Sequence, residues 1–444
     1  MPLNIMQCPV CGYIATQGID FHHCPVCNSP SDMFRPFTTL SARGIWDEKS
    51  IVMAMKMAET GHSALEGKGT TRSFPNFDDL MFLPAQIACM PLLESDPVHC
   101  RVVLGKKAHK PVISRTPILN AAMSFGALSK EAKMALAKGA AMVGGVANSG
   151  EGGMLDEERQ LSEHITLQYS TGRFGISDDR LKLADMIEIK ISQGAKPGMG
   201  GKLPGPKVTN EIARIRQITP WKTASSPACH PDISSARALS EKIADLRTIT
   251  GGKPIAVKLV GGHIENDLAA VFDQPAIPDV LVIDGAEGGT GAAPVFTKDH
   301  MGLPLVYALP RADRFLEKHR LQDRVTLIAA GGVRHAMDAA KALALGADAV
   351  YMAGALKIAL GCRYIKACHT GTCPFGIATQ DKGLRARLDI DEKAGAVANF
   401  IGAATDEIKA IARICGKNNI HAINRTDLAA LTPEMARITG VTLA

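Results

Sequence analysis

The chain has 444 residues, 46% of them hydrophobic and 5% aromatic, with 42 glycines, enough for a large core with tight turns and typical of an α/β protein. Fifty basic and 44 acidic residues give a formal charge of +6 without a basic block, so no nucleic-acid partner is expected, and the mild excess suits anionic substrates or an acidic electron carrier. No apolar run reaches the roughly 18 residues that cross a bilayer. Met1-Pro2-Leu3-Asn4 does not open a secretory signal, and the 11 cysteines fall in clusters, so metal or redox chemistry in the cytoplasm is expected rather than disulfides or a membrane.

Residues 1–36 are polar and too poor in apolar residues to bury a core, so they need a metal to fold. Two pairs, Cys8-Pro9-Val10-Cys11 and Cys24-Pro25-Val26-Cys27, are separated by 12 residues. Each turn presents two thiolates to one ion, and together they complete a tetrahedral S4 site. Gly12 suits the positive φ of such a turn. Four cysteines fill the site, which leaves His22 and His23 as loop residues. The spacing admits iron or zinc. The pattern Cys-x-x-Cys-Gly-Tyr, then Cys-Pro-x-Cys, then Phe34 resembles the short rubredoxin module of rubrerythrins, which implies one iron cycling between ferric and ferrous.

Residues 37–115 read as a helical and loop linker packing on the main domain. They contain a helix over Asp47–Thr60, a polar Gly-rich stretch from His62 to Phe77, and short elements thereafter. From residue 117 a short apolar run, a polar turn and a helix recur. Eight strands are predicted: Ile118–Met123, Met142–Asn148, Leu167–Ser170, Ile187–Ile191, Ile255–Leu259, Val280–Ile283, Val325–Ala329 and Ala349–Met352. Helices are predicted between them, among others at Lys130–Ala141, Ser234–Thr248 and Ala336–Leu345. Alternation argues a parallel sheet, and eight units argue a closed (β/α)8 TIM barrel over 116–382, with a doubly wound sheet as the alternative. The active site then lies at the C-terminal strand ends. Residues 383–444 read as a C-terminal helical extension.

Cys362, Cys368 and Cys373 follow the last strand with gaps of five and four residues, and Pro374 closes the run. Three thiolates suit a three-iron cluster, or a four-iron cluster with one non-cysteine ligand; free thiols are the alternative. Cys89, Cys100, Cys229 and Cys415 read as ordinary thiols. Two turns, Gly331-Gly332 and Gly354-Ala355, follow the seventh and eighth strands, where barrels hold phosphate on backbone N–H groups. Arg334 adds charge there or lies on a helix surface. Lys190 and Lys258 stand in apolar strands, where an ammonium is costly to bury without a charged partner; snorkelling from the strand end is the bland reading of Lys258.

The cysteine loop with Gly376-Ile377-Ala378-Thr379-Gln380 resembles the [3Fe-4S] loop of glutamate synthases. Further segments agree in order. They are Met123-Ser124-Phe125-Gly126-Ala127-Leu128-Ser129, Gly150-Glu151-Gly152-Gly153-Met154 and Gly172-Arg173-Phe174-Gly175. After the fourth strand comes Gln193-Gly194-Ala195-Lys196-Pro197-Gly198, and after the sixth Asp284-Gly285-Ala286-Glu287-Gly288-Gly289-Thr290-Gly291. The resemblance covers about residues 78–382. It implies FMN and a [3Fe-4S] cluster, and the reductive amination of 2-oxoglutarate, in which ammonia condenses with the ketone and reduced FMN delivers hydride to 2-iminoglutarate. Met123, Ser124, Gly126 and Ala127 would lie along the flavin ring, and Lys258 at its N1–C2=O edge. Gly331, Gly332, Gly354 and Ala355 would hold its phosphate. Lys190, Lys196 and Arg173 would hold substrate carboxylates, and Gln193 the flavin or the substrate. Glu151 would bind ammonia or move protons, and Asp284 and Glu287 would support the loop.

Met199 and Lys202 stand where glutamate synthases often carry Glu and Gln. No cysteine follows Met1, no Gly-x-Gly-x-x-Gly follows a strand, and the tail is too short for the family's β-helix. The resemblance therefore implies ammonia from solution or from a separate glutaminase subunit, and an electron donor such as ferredoxin or a reductase subunit. A related enzyme acting on another amine, such as an N-methylglutamate synthase, and a non-catalytic electron-transfer subunit are the alternatives.

Overall fold

A computed structural model describes residues 6–11, 13–15, 22–36, 48–63 and 65–444. The chain divides into two compact units, Met1–Leu65 and Glu66–Ala444. In the first, Met6–Gln7 pairs antiparallel with Ile14–Ala15 on one side and Arg35–Pro36 on the other. Among its described residues Cys8, Ala15, Cys24 and Phe34 form a small buried cluster, and Tyr13 meets Phe34 edge-on at 6.4 Å. A helix spans Glu48–Thr60; Asp47, its expected first residue, and Gly12 lie outside the described residues.

The second unit is built on eight parallel strands: β1 (Ile118–Asn120), β2 (Val146–Asn148), β3 (His164–Tyr169), β4 (Met186–Lys190), β5 (Ile255–Val260), β6 (Val280–Asp284), β7 (Thr326–Ala330) and β8 (Ala349–Met352). Neighbours in space follow the order β1-β8-β7-β6-β5-β4-β3-β2, and β1 also touches β2, which brings the sheet round into a near-closed barrel. The doubly wound alternative is thereby excluded. Seven of the eight strands differ from their predicted bounds. The largest difference is at β2: Met142 ends the helix Lys130–Met142, and Gly144, at φ +64°, turns the chain before the strand begins.

The strands read as continuous apolar runs because both faces are buried. Leu119, Val146, Met186, Val280, Val282 and Ile328 fill the barrel, while Ile118, Leu281, Ile283 and Leu327 pack outward on the helices. A hairpin of Val102–Leu104 and Val112–Ser114 packs on the first residues of several strands and covers that end. Ser129 and Ser235 cap their helices by accepting from Ala132 N and Ala238 N, and Gly251 ends the second in a left-handed turn. The helix Ile390–Ile414 packs against Lys130–Met142. Among the described residues no helix is long and apolar enough to cross a membrane.

Candidate active site and metal centre

Parallel register sets the site. Lys190, last in β4, is the Cα partner of Lys258 in β5, and Val260 is that of Asp284, last in β6. Lys258 Nζ lies 3.1 Å from Asp284 Oδ2, and Lys190 Nζ 2.6 Å from Glu151 Oε2 in the loop after β2. Burial opposes ionisation of Glu151, but the charges of Lys190 and Lys196, the Lys190 hydrogen bond and the charge of Arg216 outweigh it and hold the carboxyl down at about 2. Burial likewise opposes the charge on Lys258, and Asp284 and Glu188 more than offset it. Lys196 is buried, which lowers its pKa against the pull of Glu151.

These groups face one cleft, partly open to solvent, at the C-terminal ends of the strands. Met123, Ser124, Ala127, Glu151, Lys190, Gln193, Lys196 and Lys258 all line it, as do Lys202 and the three clustered cysteines. Gly126, Arg173, Gly331, Gly332, Gly354 and Ala355 are not among the lining residues. Arg173 lies 3.7 Å above the Tyr169 ring, pairs with Asp232 and donates to His230 Nδ1 at 2.7 Å. His230 Nε2 in turn meets the Lys190 carbonyl at 2.8 Å, so Arg173 braces the strand end that carries Lys190. Met199 is exposed and does not line the cleft.

The turns after β7 and β8 differ. Gly331 and Gly332 have φ of +81° and +80°, and a Cβ on Gly331 would stand 2.8 Å from Asp284 Oδ1. Gly354 has no heavy atom within 4 Å of a Cβ position, so the turn after β8 opens on free space. A flavin fits this donor set: backbone N–H groups and room at the strand ends, and a buried ammonium in the adjoining cleft. Arg334 is taken up by Asp338 and Asp78, at 2.8 and 2.6 Å. Asp284 Oδ2 also accepts from Gly194 N at 3.1 Å, and Glu287 accepts from Leu305 N at 3.0 Å. Burial pushes the Glu287 carboxyl up to about 7.

Several cleft residues carry no signal in the sequence. Arg216 closes the helix Asn210–Arg216, is buried, and donates to the Phe125 carbonyl at 2.7 Å; burial pulls it down to about 10 against the charge of Glu151. Gln168 in β3 lines the cleft and donates to the buried Glu188 at 2.6 Å. Lys68, Lys207 and Lys357 line it on the cysteine side.

Cys362 and Cys373 are buried and Cys368 is half-buried. The loop that joins them curls through left-handed residues at Gly361, Tyr364, Lys366 and Gly371. Cys362 Sγ meets Tyr364 N at 3.4 Å and Lys68 Nζ at 3.3 Å. Three thiols ringed by cations suit an anionic metal–sulfur group.

In the first unit Cys8, Cys11, Cys24 and Cys27 bring their four sulfurs within 4.8 Å of one another. Cys8–Cys27 and Cys11–Cys24 are each 3.6 Å apart. Four thiolates bonded to one ion at about 2.3 Å stand about 3.8 Å apart, so the set can hold one metal ion. Cys8 N donates to Tyr13 O and Cys24 N to Ser29 O, so both turns fold alike. Asn28, the counterpart of Gly12, has φ +60°. His22 and His23 are exposed and outside the ligand group.

A family model described as the conserved region in glutamate synthase matches residues 66–418. The archaeal-type glutamate synthase (NADPH) of Thermotoga maritima is 38% identical over 400 residues, covering 85% of this chain and 79% of that protein. A glutamate synthase large subunit-like protein of Rhizobium meliloti is 39% identical over 429 residues, covering 92% and 96%. Among solved structures, a mandelate oxidase is alike in fold, with a TM-score of 0.50 at 15% identity over 81% of this chain and 91% of that one. Barrel, cleft and sequence agree, and the chain belongs to the glutamate synthase family.

Proposed function

We propose that this chain is an oxidoreductase acting on CH–NH2 groups that aminates 2-oxoglutarate reductively to L-glutamate. The observation that carries the reading is Glu151, a buried carboxylate held by Lys190 and flanked by Lys196 and Arg216 in the strand-end cleft. The substrate is a dianion, and Lys190, Lys196 and Arg216 offer charge-assisted hydrogen bonds to its carboxylates. A bound dianion competes for the cations that keep Glu151 acidic, so Glu151 regains basicity when substrate is present. It then takes a proton from ammonium, freeing ammonia to attack the ketone, and returns that proton to the oxygen that leaves as water. Arg173 acts through His230 in holding Lys190 rather than by touching substrate.

FMN, when bound, supplies hydride transfer to the imine carbon. Met123, Ser124, Ala127, Gln193 and Lys258 would hold its ring, with Gly126 shaping the turn, and Gly331, Gly332, Gly354 and Ala355 would hold its phosphate. Cys362, Cys368 and Cys373 would hold a [3Fe-4S] cluster, and the four N-terminal cysteines iron, with zinc as the alternative. Electrons would come from a partner such as ferredoxin or a reductase subunit, and ammonia from solution or a separate glutaminase subunit, in the cytoplasm.

The test is an assay of the purified, viologen-reduced protein with 2-oxoglutarate and either ammonia or methylamine, with products identified by mass spectrometry. Glutamate formed from ammonia with the higher kcat/KM is expected. Lys202 in the cleft is the reason for the methylamine arm: N-methylglutamate as the preferred product would overturn the choice of amine. No turnover with either amine would leave an electron-transfer subunit.

A further inference from the structure

The glycine-rich stretch ahead of the barrel places one residue in the cleft. Lys68 is 3% exposed, and its backbone is left-handed at φ +74°, a conformation that a non-glycine residue keeps only when its surroundings impose it. Gly67 and Gly69 flank it. A Cβ on Gly67 would stand 3.0 Å from the Lys366 carbonyl and 3.4 Å from Cys368 Cβ, and one on Gly69 would collide with the Glu287 carbonyl. The tripeptide is thus wedged between the cysteine loop and the loop after β6. Both its ends are tied down. The buried Lys298 pairs with Glu66, and Asp299 Oδ1 accepts from Thr70 Oγ1 at 2.9 Å and Thr71 N at 3.0 Å.

This scaffold holds the Lys68 ammonium 3.3 Å from Cys362 Sγ and 4.4 Å from the centre of the Tyr364 ring. Among the described residues no carboxylate pairs with it. Lys207 Nζ lies 3.5 Å from the Cys368 carbonyl, and Lys207 and Lys357 line the cleft on the same side. An ammonium buried without a counter-charge is costly, so an anionic centre on the cysteines is the partner that offsets it.

We propose that Lys68 sets the reduction potential of an iron–sulfur centre at Cys362, Cys368 and Cys373. The inference rests on the proposed cluster at that loop. Reduction adds one electron, taken from the reduced donor protein, and makes the centre more negative by one charge. A cation hydrogen-bonded to a ligating sulfur stabilises the reduced form more than the oxidised one and raises the potential.

The test is an EPR-monitored redox titration of the full chain, with iron, acid-labile sulfide and flavin counted in each sample. Lys68→Asn removes the charge and tolerates the left-handed backbone. It is expected to keep its iron and sulfide and to shift the reduced-to-oxidised ratio at least tenfold toward oxidised, about 59 mV for one electron. Lys68→Arg, which keeps the charge, is expected to titrate close to wild type. A fully loaded Lys68→Asn protein at the wild-type potential overturns the role of Lys68. Wild-type protein without acid-labile sulfide overturns the cluster reading itself, a distinguishable result. If Lys68→Asn loses its cluster, pulsed EPR of wild-type protein carrying 15N-lysine decides. A nitrogen coupling that disappears in Lys68→Arg supports the contact, and no coupling in wild type overturns it.

Discussion

At Glu151 burial and charge pull against each other. Burial alone would raise its pKa; Lys190, Lys196 and Arg216 bring it to about 2. A carboxyl depressed in the folded state contributes stability above its ordinary value of 4.5 and loses it as pH falls toward 2. Wild-type kcat/KM should therefore show no acid limb from Glu151 above about pH 5. Lys190→Ala removes the hydrogen bond and the strongest opposing charge but leaves the burial. We expect an acid limb to appear in its pH profile, with a loss of roughly 10- to 100-fold in kcat/KM for a charged hydrogen bond of about 1.5–3 kcal/mol. A flat profile for this variant between about pH 5 and 8 would count against the role of the pair. Glycines give a second contrast at this scale. Gly331→Ala forces a left-handed backbone and a contact at 2.8 Å, and should cost about 1–3 kcal/mol in denaturant melts. Gly354→Ala meets no neighbour, so the flavin-free protein should keep its stability within about 0.5 kcal/mol. Its added methyl fills space proposed for phosphate, so fluorescence titration should show weakened FMN binding; unchanged affinity would move the phosphate elsewhere.

At the scale of elements, the barrel strands were legible because both faces are buried, and continuous apolar runs such as Val280-Leu281-Val282-Ile283 need no partner to be recognised. The strand-end lysines were legible for the opposite reason, since Lys190 and Lys258 interrupt apolar runs. Arg216 was not, because Arg214 and Arg216 in a short polar helix look like any exposed pair, and only the tertiary fold turns Arg216 inward. Lys68 was hidden likewise: nothing local marks a glycine-flanked lysine as buried 294 residues from the cysteine it meets. The helical tail was legible as helix but not as part of the barrel wall. Its contact depends on Gly139, where a Cβ would stand 2.7 Å from both the Ala394 carbonyl and Val397 Cβ. Gly139→Val should push the helices Lys130–Met142 and Ile390–Ile414 apart and cost about 1–3 kcal/mol or more. A melting temperature equal to wild type would show that this contact is looser than the geometry implies.

At the scale of the whole molecule, the two units are stabilised by unlike means. Glu66–Ala444 has an extensive apolar core within and around its barrel, whereas among the described residues of Met1–Leu65 the core cluster has four buried residues, two of them cysteines of the candidate metal site. Strands of two residues cannot by themselves hold such a unit, and a metal ion held by Cys8, Cys11, Cys24 and Cys27 would supply much of its folding free energy. Cys24→Ser, or a chelator strong enough to strip the site, should therefore unfold the first unit alone. The second unit should keep its flavin, its absorption spectrum and its main calorimetric transition, while limited proteolysis removes the N-terminal residues quickly. Direct electron input at the barrel by a small viologen should survive this treatment. Input from a protein donor should fall if the N-terminal iron is the inlet, and stay unchanged if the site holds a purely structural zinc whose unit takes no part in docking. Loss of the flavin together with the N-terminal metal would contradict the division, because it would make the barrel's stability depend on a site outside its own core.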